Sequence, residues 1–308
     1  MRELILLGIL CLGFVLLVKG SDFFVDGSAG IAARFGIPQL VIGLTIVAMG
    51  TSAPEAAVSI TAALEGSADI AIGNIVGSNI LNIFIILGIA AVIASMRVEK
   101  STIKYEIPYM IGCSVLLLCM GLDGEITRFE GIVLWIAFIA YLVYLLLQAK
   151  KNKEEMQQTK DGKLWTEAIF IVGGLVAIIL GSKLAVYGAT GLARALGISE
   201  RFIGLTIVAL GTSLPELFTS VNAARKGKAD IAIGNIVGSN IFNVLFVIGT
   251  TGLITPVPFA PNYIKDSWVM IGAAVILLLC VLRKKVLNRA GGILLLLCYG
   301  AYFAYLCR

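Results

Sequence analysis

The sequence predicts an all-α membrane protein: ten transmembrane helices arranged as two inverted five-helix repeats, with helices 2 and 7 broken at the midplane. Three observations lead there. The 308 residues are 59% hydrophobic and only 14% charged, well below the charge of an average soluble domain. Apolar runs of membrane-spanning length recur along the whole chain. The chain also repeats itself at an offset of 161 residues: IGLTIVAMGTSAPE at 42–55 returns as IGLTIVALGTSLPE at 203–216, and DIAIGNIVGSNI at 69–80 returns unchanged at 230–241.

The same offset relates Asn82 to Asn243, Gly20-Ser21 to Gly181-Ser182, Gly27 to Gly188, Gly30 to Gly191 and Gly36-Ile37 to Gly197-Ile198. The chain therefore divides into a first repeat over 1–149, a polar linker at 150–164 and a second repeat over 165–308. Spans of the first repeat fall near 3–34, 38–64, 69–94, 106–122 and 130–149. Those of the second fall near 166–195, 200–224, 230–254, 267–283 and 290–307. The opening run, Leu4 to Val18, has no strong basic leader and no A-x-A-like cleavage site, so it is expected to be a span and not a signal peptide. It continues through Lys19, Asp22 and Asp26 as one long, tilted, partly amphipathic helix, and its counterpart continues through Lys183.

Five spans per repeat is an odd number, so the second repeat enters the membrane upside down relative to the first, with a site expected between the repeats at mid-depth. The basic residues agree: about 17 of the 24 lysines and arginines lie on connections of one parity. That bias predicts a multi-pass cell-membrane protein with a cytoplasmic linker and both termini extracellular. The net charge of +5 thus belongs to membrane orientation and does not suggest nucleic acid. The six cysteines sit in or at the ends of apolar runs without CxxC spacing, as small buried hydrophobes. With no histidine in the chain, imidazole metal ligands and His-based catalysis are excluded. No enzymatic activity and no cofactor are expected.

The chemistry lies in the repeated blocks. Glu55 and Glu216 occupy the middle of otherwise apolar spans. A carboxylate there costs several kcal/mol (~3) unless compensated, so a functional role is the default reading, and the interiors of spans 2, 3, 7 and 8 contain no cation to pair with it. Pro54 and Pro215 precede the glutamates and should break each helix around Gly-Thr-Ser, opening carbonyls near Ala48 to Thr51 and Ala209 to Thr212. Thr51, Ser52 and Thr212, Ser213 stand four and three residues before their glutamate and share its face. On the next span Asn74, Ser78 and Asn82 form one face, repeated by Asn235, Ser239 and Asn243. Ser78, Asn82, Ser239 and Asn243 read as ligands; Asn74, Asn79, Asn235 and Asn240 read as interhelical hydrogen-bonding residues. Asp69 and Asp230 read as helix N-caps, and Glu65 as a solvated loop residue. An all-oxygen set with two carboxylates suits hard cations such as Ca2+, Mg2+, Mn2+, Na+ and K+.

GTSAPE and GTSLPE, each followed by GNIVGSN, resemble the two alpha repeats of the calcium/cation antiporter superfamily, most closely its prokaryotic sodium/calcium exchangers. The resemblance spans nearly the whole chain. It implies exchange of Ca2+ for Na+ by alternating access, with Glu55 and Glu216 as shared Ca2+/Na+ ligands. Thr51, Ser52, Ser78, Thr212, Ser213 and Ser239 would be flanking Na+ ligands, with carbonyls from Ala48 and Ala209. It also implies that helices 1 and 6 slide across the rest. Asn at 243, where potassium-dependent members carry Asp, points to potassium independence. Gly-Thr-Ser before the glutamate, where the proton/calcium branch tends to carry Gly-Asn, points to sodium as driver. The alternatives are H+/Ca2+ or H+/metal antiport on the same glutamates and, from another class, a cation channel. The expected partners are Ca2+ and Na+, H+ in the alternative, and membrane lipid, with a single chain functioning as a monomer.

Overall fold

The computed structural model describes residues 2–151, 164–197 and 209–306. The chain opens with one 34-residue helix, α1 (Arg2–Phe35), as the sequence led us to expect. A bent pair follows, α2 (Gln39–Thr51) and α3 (Ala53–Leu64), meeting at 48°. Next is α4, which starts at Asp69 and runs through a π-helical turn at Asn82–Leu87 to Ile93. Then come α5 (Thr102–Asp123), α6 (Arg128–Lys151) and α7 (Leu164–Ala195). The short α8 (Ala209–Thr212) and α9 (Leu214–Arg225) repeat the bent pair. The chain closes with α10 (Ala229–Ile254), α11 (Pro261–Leu282) and α12 (Arg289–Leu306). Among the described residues eight helices are long and apolar enough to cross a membrane, nine if the bent pair α2–α3 is one span. The linker from 152 to 163 and the upstream part of the expected seventh span, residues 200 to 208, lie outside the described residues.

Two helices start earlier than hydropathy suggests. Helix α5 begins at Thr102 instead of 106, through a π-helical turn over Thr102–Glu106. Glu106 can sit inside because Tyr144 Oη donates to its Oε1 at 2.7 Å and Gln148 Nε2 at 3.3 Å, both from α6. Helix α11 begins at Pro261, where a fixed φ and a missing N–H suit the first turn. Asp69 and Asp230 are not N-caps: the caps are Ala68 and Lys228, neither with a side-chain bond. Both positions fall in the first helical turn, and at Asp230 the carboxylate still complements the helix dipole.

Helices α4 and α10 form the centre, with 78% and 94% of their most apolar stretch buried; for α12 the figure is 11%. Outer helices turn Leu4, Phe129, Leu146, Trp165 and Leu297 outward, as helices facing hydrocarbon must. Antiparallel α1 and α7 touch backbone to backbone. A Cβ built on Gly13 would lie 2.8 Å from the Gly181 carbonyl, and one on Gly181 would lie 2.8 Å from the Gly13 carbonyl; Gly20 and Gly174 meet in the same way. Small residues are what allow such an approach in a membrane.

Two short antiparallel β-pairs tie the halves together in the connections. β1 (Met96–Arg97) pairs with β4 (Val286–Leu287), and β2 (Glu125–Ile126) pairs with β3 (Val257–Pro258). Gly66 and Gly227 end α3 and α9 in left-handed conformation, φ 79° and 72°. The next amides, of Ser67 and Lys228, then close onto the Ala62 and Ala223 carbonyls at 2.8 and 2.9 Å.

Candidate cation site

The two helix breaks build the site. The chain turns at Ser52 (φ −82°, ψ 5°) and at Ser213 (φ −89°, ψ 3°), one residue before α3 and α9. Pro54 and Pro215 fall in the first turn that follows, where no intrahelical N–H is needed. Glu55 and Glu216 come next, at helix N-termini whose partial positive charge favours a carboxylate. The opened carbonyl falls inside the expected stretches, Ala48 to Thr51 and Ala209 to Thr212. Proline withholds a bond from the residue four back, which is Gly50 or Gly211, and Ser182 Oγ from α7 donates to the Gly211 carbonyl at 2.6 Å. The Ala48 carbonyl keeps its helical bond from Ser52 N–H at 3.0 Å. It also faces the hydroxyls of Thr51 at 3.3 Å and Ser239 at 3.4 Å. Ala209 is the first residue of α8.

Each half then reaches into the other. Ser52 Oγ donates to Glu216 Oε1 at 2.8 Å, and Ser213 Oγ donates to Glu55 Oε1 at 3.3 Å. All four are buried, and among the described residues no ion pair involves either glutamate. Their second oxygens, Glu55 Oε2 and Glu216 Oε2, are buried without any hydrogen-bond partner. Desolvated carboxylate oxygens with no compensation are costly, which makes them candidates for an ion.

The asparagines add two further oxygens, and the network fixes which way they point. Asn79 Nδ2 donates to the Asn240 carbonyl at 3.1 Å, and Asn240 Nδ2 donates to the Asn79 carbonyl at 3.2 Å. Only an amide nitrogen can meet a carbonyl, so the Oδ1 atoms of this pair face Asn82 and Asn243. These donate from Nδ2 at 2.9 and 3.0 Å. Asn82 Oδ1 and Asn243 Oδ1 are left buried and unpartnered. Both residues open a π-helical turn, a local widening common at functional sites. Asn74 Nδ2 donates to the Glu55 carbonyl at 3.2 Å and to Ser59 Oγ at 3.0 Å, and Asn235 Nδ2 donates to Ser220 Oγ at 2.9 Å. Asn74, Asn79, Asn235 and Asn240 thus make interhelical hydrogen bonds, while Ser78 and Ser239 are buried on α4 and α10. Sequence reasoning missed Ser59, Ser220 and Ser182, although Ser59 and Ser220 stand four residues after the glutamates and their helical spacing was legible.

The two halves are not in the same state. Thr51 Oγ1 hydrogen-bonds Asn235 Oδ1 at 3.0 Å, whereas Thr212 Oγ1 is unpartnered. Thr212 lines a cleft of about 1320 Å³ between α1, α3, α7 and α8 that also touches Pro54, Thr61, Ser182, Lys183 and Arg194.

The family model described as sodium/calcium exchanger protein matches residues 5–147 and 166–308. The chain belongs to the sodium/calcium exchanger family. It is 40% identical to a putative antiporter, CaxA, of Alkalimonas amylolytica, over 94% of this chain and 95% of that one. It is 34% identical to the sodium/calcium exchanger MaX1 of Methanosarcina acetivorans, over 97% of each. Solved structures of the sodium-calcium exchanger NCX_Mj superpose with a TM-score of 0.87 at 34% identity, covering 98% of both chains. The chain is thus a multi-pass membrane protein of a transporter family, a calcium/cation antiporter.

Proposed function

We propose that this exchanger-family chain carries Ca2+ one way and Na+ the other by alternating access, through a site shared between its halves. One observation carries the reading. Four acceptor oxygens from both halves, Glu55 Oε2, Glu216 Oε2, Asn82 Oδ1 and Asn243 Oδ1, are buried without hydrogen-bond partners. Two carboxylates balance one Ca2+, and an oxygen-only shell matches its preference. Thr51, Ser52, Ser78, Thr212, Ser213 and Ser239, with the Ala48 and Ala209 carbonyls, supply the smaller oxygen groups that suit Na+. Competition of the two ions for the glutamates is the physical basis of exchange. MaX1 and NCX_Mj are both sodium/calcium exchangers by name, and that likeness favours Na+ as the driver over H+.

In this reading the chain has ten spans in two inverted repeats, 1–149 and 165–308, joined by a cytoplasmic linker, with both termini outside. Two features support it. The family model matches each half separately. The β-pairs join connections of equal parity, 3–4 with 9–10 and 4–5 with 8–9. Ca2+ uptake into proteoliposomes tests the function: the wild type should accumulate Ca2+ against an opposing Na+ gradient, and Glu55→Gln should not. Uptake by Glu55→Gln at the wild-type rate would sink the site.

A further inference from the structure

Charges clasp α1, at Asp22 and Asp26, to the end of α9. Lys226 Nζ lies 2.8 Å from Asp26 Oδ2 and 3.0 Å from Asp22 Oδ1, and Lys228 Nζ lies 2.7 Å from Asp26 Oδ1. Lys226 Nζ also reaches the Asp22 carbonyl at 3.2 Å, and Asn222 Nδ2 donates to Asp22 Oδ1 at 3.0 Å. Every contact joins α1 to the last turn of α9 or the residues just beyond it.

The offset of 161 maps this clasp onto the opposite face. Asp22 corresponds to Lys183 on α7, and Lys226 corresponds to Glu65 at the end of α3. The signs are exchanged but the pair remains opposite in charge. Ser21, Asp26 and Asn222 correspond to Ser182, Tyr187 and Thr61. Of these counterparts, Thr61, Ser182, Lys183 and Tyr187 all line the open cleft. Lys183 and Glu65 are exposed, and neither makes an ion pair with a described residue. Gly66 and Gly227 end α3 and α9 in the same turn, so the two clasp positions leave their helices alike.

We propose that the exchanger carries two alternating ionic clasps: Asp22 and Asp26 with Lys226 and Lys228 close one face, and Lys183 with Glu65 closes the other. The structure holds the first clasp made and the second apart. This deepens the alternating-access reading and rests on it. These residues touch no transported ion; they set which face is open.

The test uses the full chain in proteoliposomes, with all six native cysteines replaced and a protease site in the 150–164 linker. Transport is followed as exchange of labelled for unlabelled Ca2+, which needs neither Na+ nor H+ as driver. Two cysteine pairs are compared, Asp22→Cys with Lys226→Cys and Glu65→Cys with Lys183→Cys. Both pairs should hold the cleaved halves together after oxidation, and each cross-link should slow exchange at least tenfold, reversed by reductant. Cross-linking of the 22–226 pair alone, while exchange runs normally in the Glu65–Lys183 variant, would overturn the proposal. A second arm keeps the native cysteines. Lys183→Glu should slow exchange about two- to fivefold, the scale of a partly exposed pair, and Lys183→Glu with Glu65→Lys should restore it. Failure of the swap to restore exchange counts against the clasp. Absence of Ca2+ exchange in the unaltered protein would instead overturn the transport reading on which the clasp depends.

Discussion

Glu216→Gln separates a ligand from a structural residue because the two roles predict opposite changes in stability. The substitution keeps shape, and the amide oxygen can still accept from Ser52 Oγ, now at 2.8 Å. What changes is Oε2, a buried oxygen without a partner, which becomes an NH2 group or exchanges places with one. No lysine or arginine compensates the charge among the described residues, so its removal relieves an unfavourable burial. The ion-free variant should therefore melt at a higher temperature than the wild type. Ca2+ binding should move the other way. Removing one partner of a buried charge pair costs ~3–5 kcal/mol, and at ~1.4 kcal/mol per tenfold affinity should fall by more than about a hundredfold. Calorimetric titration of the purified protein with Ca2+, beside a thermal melt without it, reads both quantities. A variant that melts lower and still binds Ca2+ like the wild type would refute the reasoning.

Three further outcomes follow from the same geometry. Ser52→Ala removes a hydrogen bond to a carboxylate, ~1.5–3 kcal/mol, and should weaken Na+ competition with Ca2+ at least tenfold in an equilibrium binding assay. Asn243→Asp adds a carboxylate at an unpartnered oxygen but loses the Nδ2 bond to Asn79 Oδ1 at 3.0 Å; it should alter Na+, K+ and pH dependence of uptake and also lower the melting temperature. Gly181→Ala places a methyl 2.8 Å from the Gly13 carbonyl. At ~1–3 kcal/mol for overpacking, it should lower the melting temperature and leave Ca2+ affinity unchanged.

Much of this was legible in the sequence because a membrane restricts the choices. Apolar runs had to be helices, the repeat had to be two copies of one unit, and a glutamate beside a proline in such a run had few bland explanations. What remained hidden depends on contacts between helices distant in sequence. The start of α5 at Thr102 follows from Tyr144 and Gln148 hydrogen-bonding Glu106 from α6, which no hydropathy window registers. The π-helical turns at Asn82 and Asn243 leave no periodic signature in six residues. The free oxygens of those asparagines are decided by backbone carbonyls on the opposite helix. Spacing alone put Asn82 and Asn243 on one face with Ser78 and Ser239, and it could not say which atom they offer. Asp69 and Asp230 miss the cap position because their helices start from Ala68 and Lys228, just after the turns that Ser67 and Lys228 close. The difference between the two halves, one clasped and one open, lies outside sequence reasoning, since a repeat predicts two equal halves.

The most direct test of the central claim is Ca2+ flux into proteoliposomes of the purified protein, with membrane potential clamped and either a Na+ gradient or a pH gradient imposed. We expect Ca2+ uptake to follow the Na+ gradient and to ignore the pH gradient. Uptake that follows the pH gradient alone would contradict sodium coupling, keep both glutamates as exchanging groups, and reassign Ser52, Ser78, Ser213 and Ser239 from Na+ ligands to parts of the hydrogen-bonded frame.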